Sequence, residues 1–292
     1  MNHNIPVATQ PAALRKPDWL RVSRSSSPAQ SEVEGLLKEL GLNTVCREAN
    51  CPNYSDCFSR KTATFMIMGT RCTRNCRFCN VTSAVPRDLD PSEPEKVATA
   101  VARLQLSYVV VTSVTRDDLP DGGAAHFAAT VRAIRAASPQ TVIEILIPDF
   151  KGSSSSLQSV CDSAPDVISH NIETVPELYR QVRKGASYQR SLDLIATIKE
   201  LNPQIRRKSG IMLGMGETTS QLEAVFDDLL QAGCELLTIG QYLAPSLEHY
   251  PVQEFIAPEA FEQLGNLARS KGFAFVASAP LVRSSYHAQD AL

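Results

Sequence analysis

Six short runs of apolar, β-branched residues recur along the chain, at Thr64–Gly69, Tyr108–Ser113, Val142–Ile147, Asp166–His170, Ser209–Leu213 and Glu235–Gly240. Runs of this length between turn residues read as buried strands. Between them the pattern shifts to helical spacing. Val97, Val101 and Leu104 share one face of Pro94–Leu104, and Val131 with Ile134 one face of Phe127–Ala137. Leu192–Leu201, Gln221–Gln231 and Pro258–Lys271 continue the series, with Gly272 placed as a C-terminal stop. Strand–helix alternation of this kind predicts a parallel sheet with right-handed crossovers. Six units fall short of eight, so the expected fold is α/β, a partial (β/α)6 TIM-like barrel. A doubly wound sheet is the alternative. Either architecture places the chemistry at the C-terminal ends of the strands.

The unusual polar segments agree with that placement. Cys72–Cys79, Thr112–Asp118, His170–Glu173, Leu213–Glu217 and Gln241–Pro245 each follow a predicted strand. A length of 292 residues with 43% hydrophobic content supports one sizeable core. The net charge of -2 gives no general nucleic-acid surface. No apolar stretch is long enough to span a membrane, and no apolar signal region opens the chain. Cysteines in a chain without export signals point to reduced thiols, serving metal or catalysis in the cytoplasm. Residues 1–30 are rich in Ser, Arg and Pro with Asp18 the one acid, a composition shared by transit peptides and by disordered leaders.

Six of the eight cysteines lie within 34 residues, as two triplets. Cys46, Cys51 and Cys57 read C-x4-C-x5-C, and Cys72, Cys76 and Cys79 read C-x3-C-x2-C. Each triplet is one thiolate short of the four that usually hold an iron–sulfur cube. A cube on three thiolates keeps one iron open for a substrate, a cofactor or a distant residue. Taken alone, either triplet also fits zinc, with His126 or His170 completing the second. Arg71, Arg74 and Arg77 crowd the second loop, either to offset cluster charge or as a solvated basic face. Cys161 and Cys234 read as buried small apolar residues.

A C-x3-C-x2-C loop after the first strand resembles the radical S-adenosylmethionine (SAM) superfamily. The two triplets together with Arg283-Ser284-Ser285-Tyr286 are similar to lipoyl synthases. Lys16–Leu20, Met68–Cys72, Arg116–Gly123, His170–Thr174, Lys208–Gly210, Gly214–Glu217 and Gly240–Leu243 also resemble segments of that family. The match at Lys16–Leu20 argues against a cleaved leader reaching that far.

What the resemblance implies is specific. The fold is of the radical SAM type, with residues 61–275 as the barrel, 1–60 as an extension carrying the first triplet and 276–292 as a tail. The cofactors are two [4Fe–4S] clusters and SAM. Cys72, Cys76 and Cys79 hold the cluster that reduces SAM. Cys46, Cys51 and Cys57 hold an auxiliary cluster whose fourth ligand is Ser285, with Ser284 as the other choice. SAM contacts fall on Phe78, Thr112, Ser113, Asn171, Glu173, Arg183 and Leu213. Asn171 and Glu173 also suit helix capping, and Arg183 a surface charge. Gly214 allows close approach, Asp117, Asp118 and Asp121 look like loop caps, and His170 a satisfied core histidine.

The implied reaction inserts two sulfurs, at C6 and C8 of a protein-bound octanoyl-lysine. Neither carbon carries an acidic hydrogen, so a 5′-deoxyadenosyl radical abstracts it and the auxiliary cluster gives up sulfide. The implied partners are octanoylated lipoyl-carrier domains, such as the glycine cleavage H protein and 2-oxoacid dehydrogenase E2 subunits. An electron donor such as ferredoxin or flavodoxin and an iron–sulfur cluster carrier complete the set. Two other classes stand beside this one: a zinc-stapled scaffold, and a radical SAM enzyme using the auxiliary cluster only for electrons.

Overall fold

In the computed structural model, which describes residues 15–22, 27–60, 64–286 and 288–291, every predicted apolar run becomes a strand of one sheet. In chain order these are β1 (Asn43–Thr44), β2 (Thr64–Ile67), β3 (Tyr108–Ser113), β4 (Val142–Leu146), β5 (Val167–Ser169), β6 (Arg206–Leu213), β7 (Leu236–Gln241) and β8 (Phe275–Ser278). From β2 to β8 the strands lie side by side in sequence order and all run parallel. β1 pairs antiparallel to the outer edge of β2. The two ends of the order, β1 and β8, are not paired with each other, so the sheet is an open arc. The sequence pattern gave no sign of β8. Together β1 and β8 carry the sheet past both expected barrel limits, into the extension and the tail.

The helices form where the spacing predicts them. Glu93–Leu104, Ala124–Ala137, Tyr188–Leu201, Thr219–Gln231 and Pro258–Lys271 each follow a strand, and Ser154–Asp162 adds the crossover after β4. Their starts are chemically marked. Thr218 and Gln221 form a reciprocal capping box, and Pro258 takes the first helical position. Alternation along the strands then decides which face meets the helices. Val109, Val111, Ile143, Ile145, Ile168, Ile211, Leu237 and Ile239 all join the main apolar core with helix residues such as Val101, Ile134 and Val225. Each such fully buried side chain is worth roughly 1.5–3 kcal/mol. Cys161 and Cys234 are buried in this core, as expected.

The alternate residues line the concave face, and many of them are small or polar: Thr112, Glu144, Ser169, Lys208, Gly210, Thr238 and Gly240. A buried ionic group sits on this wall. Lys208 Nζ lies 2.9 and 3.0 Å from the two oxygens of Glu144, and Tyr108 donates its hydroxyl to Glu144 at 2.5 Å.

The two chain extensions fill the open side of the arc. Asn53 Nδ2 donates to the Leu281 carbonyl at 2.7 Å, and the Tyr286 hydroxyl donates to Asp56 at 3.2 Å. Gln241 N donates to the Pro280 carbonyl at 3.2 Å, tying the tail to the carboxyl end of β7. Further on, Ala288 packs on Tyr108 and Val110, and Ala291 on Val167 and Leu236. The tail therefore descends from the carboxyl end of β7 to the amino ends of β3 and β5. Its passage depends on Gly240, where a Cβ would lie 2.1 Å from the Val282 carbonyl oxygen. We expect Gly240→Ala to push the tail off β7, costing about 1–3 kcal/mol as overpacking does. Thermal unfolding and proteolysis of the tail measure this.

Among the described residues no helix is long and apolar enough to cross a membrane. Leu20, at the end of the expected Lys16–Leu20 segment, is fully buried. The expectation for residues 1–14 lies outside the described residues.

Candidate functional site

The second cysteine triplet leaves β2 at its carboxyl end. Arg71–Cys72 forms a two-residue ribbon with Thr82–Ser83, which closes the loop on itself. Backbone N–H groups of Thr115 and Arg74 point at Cys72 Sγ, at 3.3 and 3.4 Å. The loop is held from outside by Arg77 N on the Val182 carbonyl and by Tyr250 N on the Arg77 carbonyl, both at 2.8 Å. Burial, then the neighbouring cysteines, push the Cys76 thiol up to about 12, with Arg183 opposing. Burial pushes Cys79 up to about 11. Phe78 packs into a small apolar cluster with Val182, Met215, Tyr242 and Tyr250.

Near the strand ends around this loop lie orphaned polar atoms. Ser113 Oγ, Ser169 Oγ and Asn171 Oδ1 are buried with no hydrogen-bond partner among the described residues. Such groups carry a desolvation cost unless a ligand meets them. Glu173 holds a left-handed backbone, φ 69°, uncommon for a residue with a side chain. Burial raises its carboxyl above the usual carboxylate range, against the pull of Arg183. Neither Asn171 nor Glu173 caps a helix: the next helical turn starts after Val175 without a side-chain cap. The orphaned oxygens beside a three-thiol loop suit a polar ligand with amino and hydroxyl groups.

The other expected contacts are placed as follows. The Thr112 hydroxyl donates to the Leu146 carbonyl at 3.0 Å. Arg183 is no surface charge: it donates to the Tyr179 hydroxyl at 3.0 Å and to Ser191 Oγ at 3.2 Å. Leu213 is buried, and its carbonyl accepts from Tyr242 N and Gln241 Nε2. Gly214 needs its glycine: φ is +94°, and a Cβ would lie 2.3 Å from the Glu254 carbonyl. The Glu217 carboxylate clamps that turn by accepting from the N–H groups of Gly214 and Met215.

Several expectations for this rim are corrected. Arg74 neither screens the loop nor lies in solvent. Its guanidinium is forked onto Asp117 at 2.7 and 3.0 Å and reaches Asp149, which Arg190 also meets at 3.1 Å. Asp117 is thus an ion-pair partner, and Asp118 pairs with Arg116. Only Asp121 caps, accepting from the N–H groups of Gly123 and Ala125 at the start of Ala124–Ala137.

His170 is a satisfied core histidine. Its nitrogens meet the Ile147 carbonyl at 2.9 Å and Ser191 Oγ at 3.0 Å, and burial lowers its pKa to about 3. His126 is engaged by Glu93 at 2.7 Å. Both histidines that might complete a zinc set therefore have other partners. Among the described residues no three His, Cys, Asp or Glu groups converge as a single ion requires. The sign of the His170 effect is definite. The unfolded chain takes up a proton below about 6.5, the ordinary histidine value, while the folded chain does not until about 3. Stability falls as pH drops through that window, by up to about 1.4 kcal/mol per pH unit. Denaturant titration of His170→Gln against the parent protein between pH 7 and 4 should show the parent losing more.

The first triplet lies elsewhere. Cys46 follows β1, which runs antiparallel to β2, so it comes down beside Thr64 at the amino end of the sheet. A cavity here is lined by Cys46, Cys57, Thr64, Tyr108, Val110 and Ser285. Ser284 is not among its lining residues. Burial pushes Cys46 up to about 11, and burial with Cys46 and Cys51 beside it pushes Cys57 up to about 12. The expectation that all chemistry gathers at the carboxyl ends of the strands is corrected: the two tripods occupy opposite ends of one concave wall. Along β3, the five steps from Tyr108 at one site to Ser113 at the other span roughly 17 Å at ~3.3 Å per residue. The loops still touch at one flank, where Asn80 Nδ2 donates to the Glu48 carbonyl at 2.8 Å.

Comparison with known proteins follows the same lines. Residues 66–229 match the radical SAM superfamily model. The chain is 57% identical over 275 residues to a lipoyl synthase of Geobacter metallireducens, covering 94% of this chain and 96% of that protein. It is 54% identical over 278 residues to one of Alkaliphilus metalliredigens, covering 95% and 96%. Among solved structures, Streptococcus suis SuiB bound to S-adenosylmethionine superposes with a TM-score of 0.57 at 11% identity, over 77% of this chain and 54% of that one. Methylornithine synthase (PylB) gives 0.53 at 14% identity, over 88% and 84%. These structures share the partial-barrel fold. A double cysteine tripod on a radical SAM barrel, with relatives more than half identical across nearly the whole chain, places this protein in the lipoyl synthase family.

Proposed function

We propose that the protein is a sulfurtransferase that converts an octanoyl-lysine on a lipoyl-carrier domain to the lipoyl group. Carriers of the glycine cleavage H and 2-oxoacid dehydrogenase E2 type are its substrates. A ferredoxin or flavodoxin supplies electrons, a cluster carrier supplies iron and sulfide, and the work is done in the cytoplasm. The observation that carries this reading is the pair of three-thiol sites at the two ends of one concave wall, with Ser285 lining the cavity of the first.

In this reading Cys72, Cys76 and Cys79 would hold one [4Fe–4S] cluster, beside which SAM would bind, and Cys46, Cys51, Cys57 and Ser285 would hold the other. When bound, the first group supplies a carbon radical for C–H cleavage and the second supplies sulfur. The chain's residues do the rest. The raised thiols of Cys46, Cys57, Cys76 and Cys79 release their protons as iron binds, so loading is favoured by rising pH. Ser113, Ser169 and Asn171 offer their unpartnered oxygens to SAM, and Glu173 offers a carboxylate in a strained, preset backbone. The Ser285 oxygen is a harder donor than thiolate and is the ligand most readily exchanged. The apolar cluster around Phe78 and the descending tail keep water from the wall between the sites.

The test is a single-turnover assay with anaerobically reconstituted protein, SAM, a reductant and an octanoylated lipoyl-domain peptide. Dithiolated peptide with loss of iron from the chain is the expected outcome. Cleavage of SAM without thiolated peptide would sink the proposal.

A further inference from the structure

One side chain ties the Cys72–Cys79 loop to the barrel. Arg74 stands between Cys72 and Cys76, with its backbone N–H on Cys72 Sγ at 3.4 Å. Its side chain is only 8% exposed, and the guanidinium forks onto Asp117 at 2.7 and 3.0 Å. One of the same nitrogens, Nη2, donates to Asp149 at 2.5 Å. The two acids differ in what holds them. Asp117 rides with the loop itself: its N–H donates to Thr73 Oγ1 at 3.0 Å, and Thr73 N donates to the Thr115 carbonyl at 3.1 Å. Asp149 belongs to the exit of β4, one strand beyond β3, and its side chain is fully buried. Arg190, on the helix Tyr188–Leu201, meets its other oxygen at 3.1 Å. Two acids and two cations balance, so no charge in this group is stranded.

The turn that delivers Asp149 is unusual. Phe150 and Lys151 hold left-handed backbones, φ 44° and 53°, and Gly152 follows at 84°. Two successive residues with side chains in that region cost free energy, and they persist only where the surroundings over-determine them. Here Phe150 is buried edge-to-face against Phe127. Lys151 N donates to the Asp149 side chain at 3.1 Å, and Gly152 N to its carbonyl at 2.8 Å. The strained turn thus keeps one carboxylate aimed at Arg74. Asp149 hydrogen-bonds to no cysteine among the described residues, so its influence on the loop runs through Arg74.

The loop from Cys72 to Cys79 must offer three thiols to one cluster. A free loop would lose conformational freedom on loading, and that loss would weaken its hold on iron. We propose that Asp149 is a positioning residue for the second tripod: fixed in its strained turn, it anchors Arg74 and presets the cysteine loop before any cluster binds. This inference rests on the functional reading above for the identity of the cluster.

The test uses two full-length backgrounds, one with Cys46, Cys51 and Cys57 replaced by alanine and one with Cys72, Cys76 and Cys79 replaced. Each is reconstituted anaerobically with iron and sulfide, and iron release to a ferrous chelator is followed. Asp149→Asn should speed release from the second tripod about tenfold, as loss of a partner supporting a metal site does, and leave the first tripod unchanged. Asp149→Asn combined with Arg74→Gln should release iron no faster than Arg74→Gln alone, because both act through one contact. Hydrogen exchange of the parent chain supplies a measurement that needs no variant, and it carries the test if Asp149→Asn does not fold. The amides of Thr73 and Arg77, bonded to the Thr115 and Val182 carbonyls, should be as protected without iron as with it. A purely structural Asp149 would loosen both tripods alike or add to Arg74→Gln. Either result, an unchanged release rate, or amides protected only after loading overturns the inference. A parent chain that takes up no cluster overturns the functional reading instead, and exchange in that unloaded chain still decides whether the loop is preset.

Discussion

Replacing Cys46, Cys51 or Cys57 with alanine is expected to reduce lipoyl formation to background while SAM is still cleaved. The two activities separate because the two tripods do. The Cys72–Cys79 loop is held by Thr115, Val182 and Tyr250, none of which hydrogen-bonds to the first triplet among the described residues. Its nearest link to the other loop is one side-chain hydrogen bond, from Asn80 to the Glu48 carbonyl. Losing one thiolate from three leaves the first site with two and a serine, too few for a stable cube. Iron should therefore fall from roughly eight to roughly four atoms per chain, as one cube of two is lost. Iron analysis, deoxyadenosine release and mass spectrometry of the peptide measure the three quantities on one sample. Sulfur insertion surviving the change would show that the sulfur comes from elsewhere.

Glu144→Leu should be the most destabilising single change on the concave wall. Lys208 is 1% exposed, and Glu144 supplies both of its ion-pair contacts. Removing the carboxylate strands a buried ammonium and leaves the Tyr108 hydroxyl without its acceptor. Breaking a buried pair in this way costs about 3–5 kcal/mol. Removing both partners is a different matter, because neither charge is then stranded. Glu144→Leu with Lys208→Met should regain most of the loss. Chemical denaturation of the three proteins decides it. Equal stability of the single and double variants would mean that the pair is not what holds this layer together.

Much of the fold was readable from pattern because the helix-facing sides of β3, β4 and β7 are unbroken apolar series. β8 was not, since Phe275-Val-Ala-Ser is four residues long and only Val276 is buried. The Cys72–Cys79 loop was readable because its ligands are local. Ser285 came only from the family resemblance, because no local pattern links it to residues more than two hundred positions away. Ser169 was missed altogether. It lies inside a predicted strand, and only strict alternation against Ile168 would have put its hydroxyl on the concave face. Glu144 did leave a signal, as a charge inside the apolar run Val142–Ile147 that demands a buried partner; Lys208 did not, since it follows Arg206 and Arg207 and precedes the predicted run. The rule that chemistry follows strand ends failed for the first triplet for a simple reason. Cys46 arrives before β2 and enters from the far side.

The closure of the open arc by Asn53 with Leu281 and by Asp56 with Tyr286 joins positions 228 and 230 apart in the chain. Contacts of such long range are the last to become available as a polypeptide leaves the ribosome. The Cys72–Cys79 loop has its ties in place once the chain has passed Tyr250. The pocket lined by Cys46, Cys57 and Ser285 must wait for the segment around Ser285, more than two hundred residues later.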